Sequence, residues 1–167
     1  MAKRLVAVGI EIAIGSRDAA RARQAAEPLG AEGATNEDAV RGVDLVLLAV
    51  KSEAAIDTAR ELSNAIGGTP VLSVCAELSF GPGGVKPTPE ATSIAERISA
   101  ELDGPVVAGL HSLAAASLAE EPPDEDALVC GDDVEAKALE GMTAVIVNVN
   151  KRYKAHAGLR VTGLSER

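Results

Sequence analysis

Aromatic residues are almost absent from this sequence of 167 residues: Phe80 and Tyr153 stand alone, and there is no tryptophan. A protein that stacks nucleic-acid bases on aromatic platforms is therefore not expected. Basic charge is also in deficit. Sixteen Lys and Arg face 25 Asp and Glu, a net charge of −9 that argues against general polyanion binding. A small anionic ligand is still possible, since a few Arg side chains and backbone amides suffice to hold one. Only two cysteines occur, Cys75 and Cys130, far apart and in or beside apolar runs, so both are expected reduced and buried. No apolar run reaches membrane length and no signal peptide is visible, which points to a cytoplasmic protein with no nucleic-acid or membrane partner. Catalytic signatures are lacking too. There is no Gly-x-Ser-x-Gly turn, no paired-cysteine metal spacing, no zincin histidine pair and no lysine-bearing phosphate loop, so neither a metal site nor a catalytic side chain is assigned.

What the sequence has is aliphatic residues. Hydrophobic content is 47 %, enough for one domain with a small appendage. Short apolar runs alternate with helical patterns. Arg4–Val8 reads as a strand, as does Ile12–Gly15. An alanine-rich helix over 18–29 is closed by Pro28 and Gly30, and Thr35–Asp38 opens a short helix ending at Gly42. Asp44–Val50 is a continuous apolar run, the mark of a central parallel strand. A helix over 53–66 follows, capped by Ser52, with Ala55, Ile56, Ala59, Leu62 and Ile66 at helical spacing. Strands are predicted at 70–74, 105–110 and 127–130. A Gly- and Pro-rich loop spans 76–86. Helices are predicted from 88 to 102, from Asp133 onward, and from Gly141 through Lys154, with a loop-like tail after Gly158. This alternation predicts an α/β fold, a Rossmann-like doubly wound and mostly parallel sheet. Residues 1–133 form the dinucleotide-binding part and 134–167 a small helical C-terminal part.

One feature conflicts with that pattern. Only Gly9, Ile10 and Glu11 separate the first two predicted strands. Two parallel strands need a crossover of about a dozen residues or more. Three residues suit a hairpin, so the first crossover is missing.

In doubly wound sheets ligands bind beyond the carboxyl ends of the strands, which selects Ser16, Arg17, Val50, Lys51, Ala76 and His111. Ser16 can hydrogen-bond a phosphate oxygen and Arg17 can grip one with two parallel donors, with Arg21 one helical turn beyond. Equally, Ser16 or Asp18 could cap the helix and leave the arginines solvated. His111 could touch a ligand or be satisfied structurally. Phe80 could cover a planar ring or anchor its loop.

Several stretches together resemble one family, the NADPH:coenzyme F420 oxidoreductases (F420-dependent NADP reductases). They are Ile14-Gly15-Ser16-Arg17-Asp18, Asn36-Glu37-Asp38-Ala39, Ala55–Arg60, Ser79–Gly84, Val129–Asp133 and Asn150–Arg160. The resemblance implies direct hydride transfer between NADP(H) and the deazaflavin coenzyme F420, with no covalent intermediate. It implies that Ser16, Arg17 and Arg21 grip the adenosine phosphate. It places Val50 where the backbone passes the nicotinamide side of NADP; Lys51 and Ala76 are assigned to the cofactor by their places at the strand ends. His111, Ser112, Leu113 and Ala115 would line the deazaflavin pocket. A homodimer is implied as well, with the apolar stretch Met142–Val149 suited to an interface. The sequence departs from the family in the missing glycine-rich unit after Val8, in a second gap near Ala138–Leu139, and in having Lys51 where Pro is common. The alternatives are an NADP-dependent reductase of a small imine or carbonyl, and a non-catalytic nucleotide-binding or dimerisation module.

Overall fold

The structure is a computed structural model that describes residues 1–7, 9–87, 90–111, 127–139 and 159–161. Ser112, Leu113, Ala115 and the apolar stretch Met142–Val149 lie outside the described residues, as does the helix expected through Lys151–Lys154.

The first predicted strand is not a strand. Residues Ala2–Ala7 form a short helix, α1. It ends in a glycine cap: the Gly9 N–H donates to the Val6 carbonyl at 2.9 Å, the Ile10 N–H donates to the Leu5 carbonyl at 3.0 Å, and Gly9 has φ +87°. This is the left-handed terminator that glycine adopts without steric cost. The backbone therefore runs on through this point as a helix end. The β-branched run had suggested a strand. With no crossover to carry it beside β1 in parallel, a local helix takes those residues instead.

β1 (Ala13–Ser16) and β2 (Glu32–Thr35) pair in parallel through the connecting helix α2 (Ala19–Ala26). The Asp18 carboxylate caps α2, accepting from the N–H groups of Ala20 at 2.8 Å and Arg21 at 3.4 Å. A 3₁₀ turn over Glu27–Leu29 and a left-handed Gly30 end the segment. Helix and strand are pressed close at Gly33, where a Cβ would lie 2.4 Å from the Arg23 backbone. After β2, Thr35 caps the short helix α3 (Asn36–Ala39), its hydroxyl accepting from the Asp38 N–H at 3.1 Å.

The main sheet is separate. It holds β3 (Val46–Leu48), β4 (Val71–Ser73), β7 (Val106–Gly109), β8 (Ala127–Cys130) and β9 (Leu159–Val161), in that order. All neighbours are parallel except β7 and β8. β9 adds a strand where a loop-like tail was expected. Helix α4 (Ser52–Ile66) lays Ala55, Ala59, Leu62 and Ile66 against Val46, Leu48 and Val71. Ser52 is its first residue rather than its cap; Lys51 holds the cap position and makes no side-chain cap bond. Helix α5 (Ile94–Ser99) inserts Ile94 and Ile98 into the same core.

α5 starts later than the expected residue 88. Ser93 and Glu96 form a reciprocal capping box, and these bonds hold the Glu96 carboxyl below its usual range. This cap outweighs the Pro89 signal because it satisfies two helix-end donors. The Gly- and Pro-rich segment is also more ordered than a loop: Leu78–Gly81 (β5) and Gly84–Pro87 (β6) pair as an antiparallel hairpin.

β1 and β3 are thus edge strands among the described residues. Burial follows from this. No residue of β1 is fully buried, and Leu47 in the middle of β3 is 37 % exposed while its register partner Leu72 is 0 % exposed.

Gly33→Ala should push α2 off β2 and cost about 1–3 kcal/mol, the usual range for overpacking. Chemical denaturation of the two proteins measures it. An unchanged midpoint would mean that the contact relaxes freely.

Candidate functional site

The site is built at the carboxyl ends of the parallel strands, in two parts. The first follows β1. Ser16 closes the strand, and its hydroxyl oxygen accepts from the Asp18 N–H at 3.2 Å, which tightens the turn into α2. Its own proton remains to be donated elsewhere. Asp18 is committed to capping the helix, as the plainer reading of this turn had it. Arg17 and Arg21 are exposed, and no ion pair engages either guanidinium among the described residues. The turn therefore combines one hydroxyl and two cations, a set suited to a phosphate group.

The second part joins the ends of β3, β4 and β7, and its hub is Cys75. The thiol lies 3.4 Å from the Leu48 carbonyl and 3.3 Å from the Val50 carbonyl, and donates toward them. Burial pushes the thiol pKa up, so it stays a neutral donor. The parallel register of β4 and β7 brings His111 to the same end of the sheet as Cys75 and Ala76. His111 is exposed on one side, yet loss of water on its inner side pushes the imidazole below its ordinary pKa. Loss of water therefore favours its uncharged form.

The approach to His111 is strained. Leu110 has φ +62°, the one non-glycine residue in the left-handed region among the described residues. Such a conformation costs about 1–3 kcal/mol and persists where surroundings over-determine it. Here the Leu110 side chain is buried, and its N–H reaches the Leu128 carbonyl at 3.3 Å.

The structure thus brings Val50, Cys75, Ala76 and His111 to one edge, with exposed Lys51 beside Val50. Ser16, Arg17 and Arg21 stand at the end of the separate β1–β2 pair. Cys75 was expected only as a buried thiol. Its hub role joins positions about 25 residues apart in sequence, which no local pattern marks. The other cysteine departs from expectation: Cys130 is exposed, because it sits at the end of β8 with its side chain outside the core. Among the described residues no group of three or more His, Cys, Asp or Glu could hold a metal ion, and no helix is long and apolar enough to cross a membrane.

Native protein treated with an aromatic disulfide reagent at pH 8 should release one equivalent of thiol quickly, from Cys130. Cys75 should react only on unfolding. Rapid labelling of both would show that the Cys75 bonds open readily.

With this geometry established, comparison with known proteins is informative. Residues 1–77 match the family described as NADP oxidoreductase, coenzyme F420-dependent. A curated relative named F420-dependent NADP reductase, from Methanothermobacter thermautotrophicus, is 27 % identical and aligns with 99 % of this chain and 90 % of its own. Another of the same name, from Methanocaldococcus jannaschii, is 29 % identical over 92 % of this chain and 88 % of its own. The first match runs over 209 positions although the chain has 167 residues, so that relative carries internal segments this chain lacks. In fold, a solved structure from Arthrobacter sp. fb24 superposes with a TM-score of 0.74 at 22 % identity, covering 89 % of this chain and 75 % of the other. Over its first 77 residues the chain is thus similar to the coenzyme F420-dependent NADP oxidoreductases, and over nearly all of its length to relatives named F420-dependent NADP reductase.

Proposed function

We propose that this protein is an oxidoreductase that passes a hydride directly between NADP(H) and the deazaflavin coenzyme F420. The observation that carries this reading is the Ser16–Arg17–Arg21 turn, with its acid Asp18 already used as a helix cap. An NAD site offers a carboxylate to the ribose hydroxyl, whereas an NADP site offers a cation to the extra phosphate. The turn meets the second demand.

The residues present fit the two cofactors in part. Ser16, Arg17 and Arg21 would hold the adenosine phosphate. Val50, Lys51 and Ala76 would run beside the nicotinamide half, and His111, with Ser112, Leu113 and Ala115, would line the deazaflavin pocket. The pyrophosphate is less well served. In doubly wound folds its amides come from a glycine-rich turn that opens the first crossover helix; here Gly9 caps α1 and the chain passes through Ile10–Ile12 straight into β1. Affinity for the dinucleotide then rests on its two ends.

When bound, the two cofactors supply the redox chemistry, one ring giving hydride and the other accepting it. The protein has to orient them and exclude water. A neutral His111 suits that task, since it can hydrogen-bond a ring without adding charge. On this reading the protein works in the cytoplasm as a homodimer, with Met142–Val149 suited to the interface and residues 134–167 as the small C-terminal part.

Arg17→Ala should weaken NADPH binding about 10- to 100-fold, the loss of one charge-assisted contact, and leave NADH binding unchanged. Fluorescence titration of both nucleotides measures this. Equal loss for the two, or none, would remove the basis of the assignment. The short Gly9–Ile12 link favours a second reading, a nucleotide-binding module without catalysis. NADPH binding with no reduction of F420 would support that instead.

A further inference from the structure

We propose that Leu110 is a positioning residue for His111: its left-handed backbone reverses the side-chain alternation of β7 and turns the imidazole outward at the edge where the strand ends converge. The proposal deepens the reading above, in which His111 lines the deazaflavin pocket, and its functional half rests on that reading.

Successive side chains of a strand point to opposite faces. β7 keeps this rule over Val106–Gly109, where half-buried and buried residues alternate. Continued unchanged, the rule would leave Leu110 half-buried, in phase with Val106 and Ala108. It would bury His111, in phase with Val107 and Gly109. The structure has the opposite: Leu110 is buried and His111 is exposed. The phase changes at the one residue of the strand end with φ +62°.

The neighbouring strand gives an independent reading of the same step. β7 and β8 are antiparallel, with Ala108 opposite Cys130 and Gly109 opposite Val129. Residues directly opposed in such a ladder share a face. Gly109 and Val129 are both buried, whereas Ala108 is half-buried and Cys130 exposed. The next step sets Leu110 opposite Leu128, and the Leu110 N–H does reach the Leu128 carbonyl at 3.3 Å. Leu128 is 51 % exposed, as the outer face requires, yet Leu110 is only 4 % exposed. The backbone bond is kept while the side chain has left the face of its partner.

A left-handed angle is unfavourable for leucine, whose Cβ crowds the backbone there. Two holds keep it: the bond to Leu128, and burial of a side chain that an ordinary strand angle would return to the exposed side. Burying one apolar side chain thereby aims a polar one. His111 follows Leu110 by a single peptide bond, so the Leu110 angles set the direction in which it leaves the sheet. An ordinary angle would turn the ring inward, away from a ligand at the edge shared with Val50 and Ala76.

The test uses the full chain and two apolar variants of similar volume, Leu110→Ile and Leu110→Met. Isoleucine is β-branched and resists the left-handed angle; methionine is unbranched and tolerates it as leucine does. Diethyl pyrocarbonate labels accessible imidazoles, and the two histidines, His111 and His156, fall in separate tryptic peptides for mass spectrometry. His111 should label readily in the unaltered protein and in Leu110→Met, and Leu110→Ile should lose most of that labelling. In steady-state assays Leu110→Ile should raise KM for F420 about tenfold with KM for NADPH held, the signature of a lost ground-state contact on one substrate, and Leu110→Met should restore it. A role in packing alone would treat the two variants alike, so equal His111 labelling in both overturns the proposal. Should Leu110→Ile not fold, the truncated pair Leu110→Gly and Leu110→Ala asks the same question. Glycine takes the angle freely and should leave His111 more reactive than alanine does; equal reactivity again overturns the proposal. Absence of hydride transfer in the unaltered protein would refute the functional reading alone, and the labelling would still decide the positioning role.

Discussion

A parallel pair of strands cannot be closed by a short link, and this topological fact governs the whole molecule. The hydrogen-bond ladder requires both strands to run the same way, so the chain must travel back the length of the sheet between them. Gly9–Ile12 cannot do that. The run Arg4–Val8, although rich in strand-forming residues, has no legal place beside β1 in parallel, and its residues 4–7 wind into α1 under a glycine cap instead. The sheet is left in two pieces. β1–β2 stands as one and β3-β4-β7-β8-β9 as the other. The incomplete burial of β1 and of Leu47 is the energetic trace of that division, since each apolar side chain left in water forgoes part of its burial free energy.

The division does not reach the chemistry at either end. Each piece keeps its strand carboxyl ends, and each of those ends is built from local bonds. Ser16 and Asp18 shape the turn before α2 within three residues. Cys75 ties β3 to β4 within the larger piece. On the proposed reading, what the missing crossover removes is the amide-lined middle of the dinucleotide site, not its termini.

Much of this was legible in the sequence. Continuous apolar runs gave the parallel strands β3 and β4, although β3, expected at the centre, lies at an edge with Leu47 exposed, and helical spacing gave the buried face of α4. The strand ends then followed by chain order, which is how Val50, Ala76 and His111 stand out as candidates. The failures share a cause. Arg4–Val8, the β5–β6 hairpin and the start of α5 were each judged by local composition, and in each case a specific bond pattern decided otherwise: a glycine cap, a cross-strand register, a capping box. The Cys75 hub and the strain at Leu110 were beyond reach for another reason. A thiol bonded to carbonyls about 25 residues away, and a backbone angle held by a neighbouring strand, leave no mark on the residues beside them.

The turn after β1 had seemed to offer a choice between capping a helix and binding an anion. The geometry shows the cap, and the cap is compatible with the anion site proposed above. Asp18 accepts from the Ala20 and Arg21 amides, so its carboxylate is withdrawn from the position where it would favour a ribose hydroxyl and repel a phosphate. Removing that negative group from competition leaves Arg17, Arg21 and the Ser16 proton as the polar character of the turn. On the proposed reading the cap serves selectivity as well as helix stability. A carboxylate that is hydrogen-bonded at a helix start also needs no cation to satisfy it, and that is why both arginines remain available to a ligand.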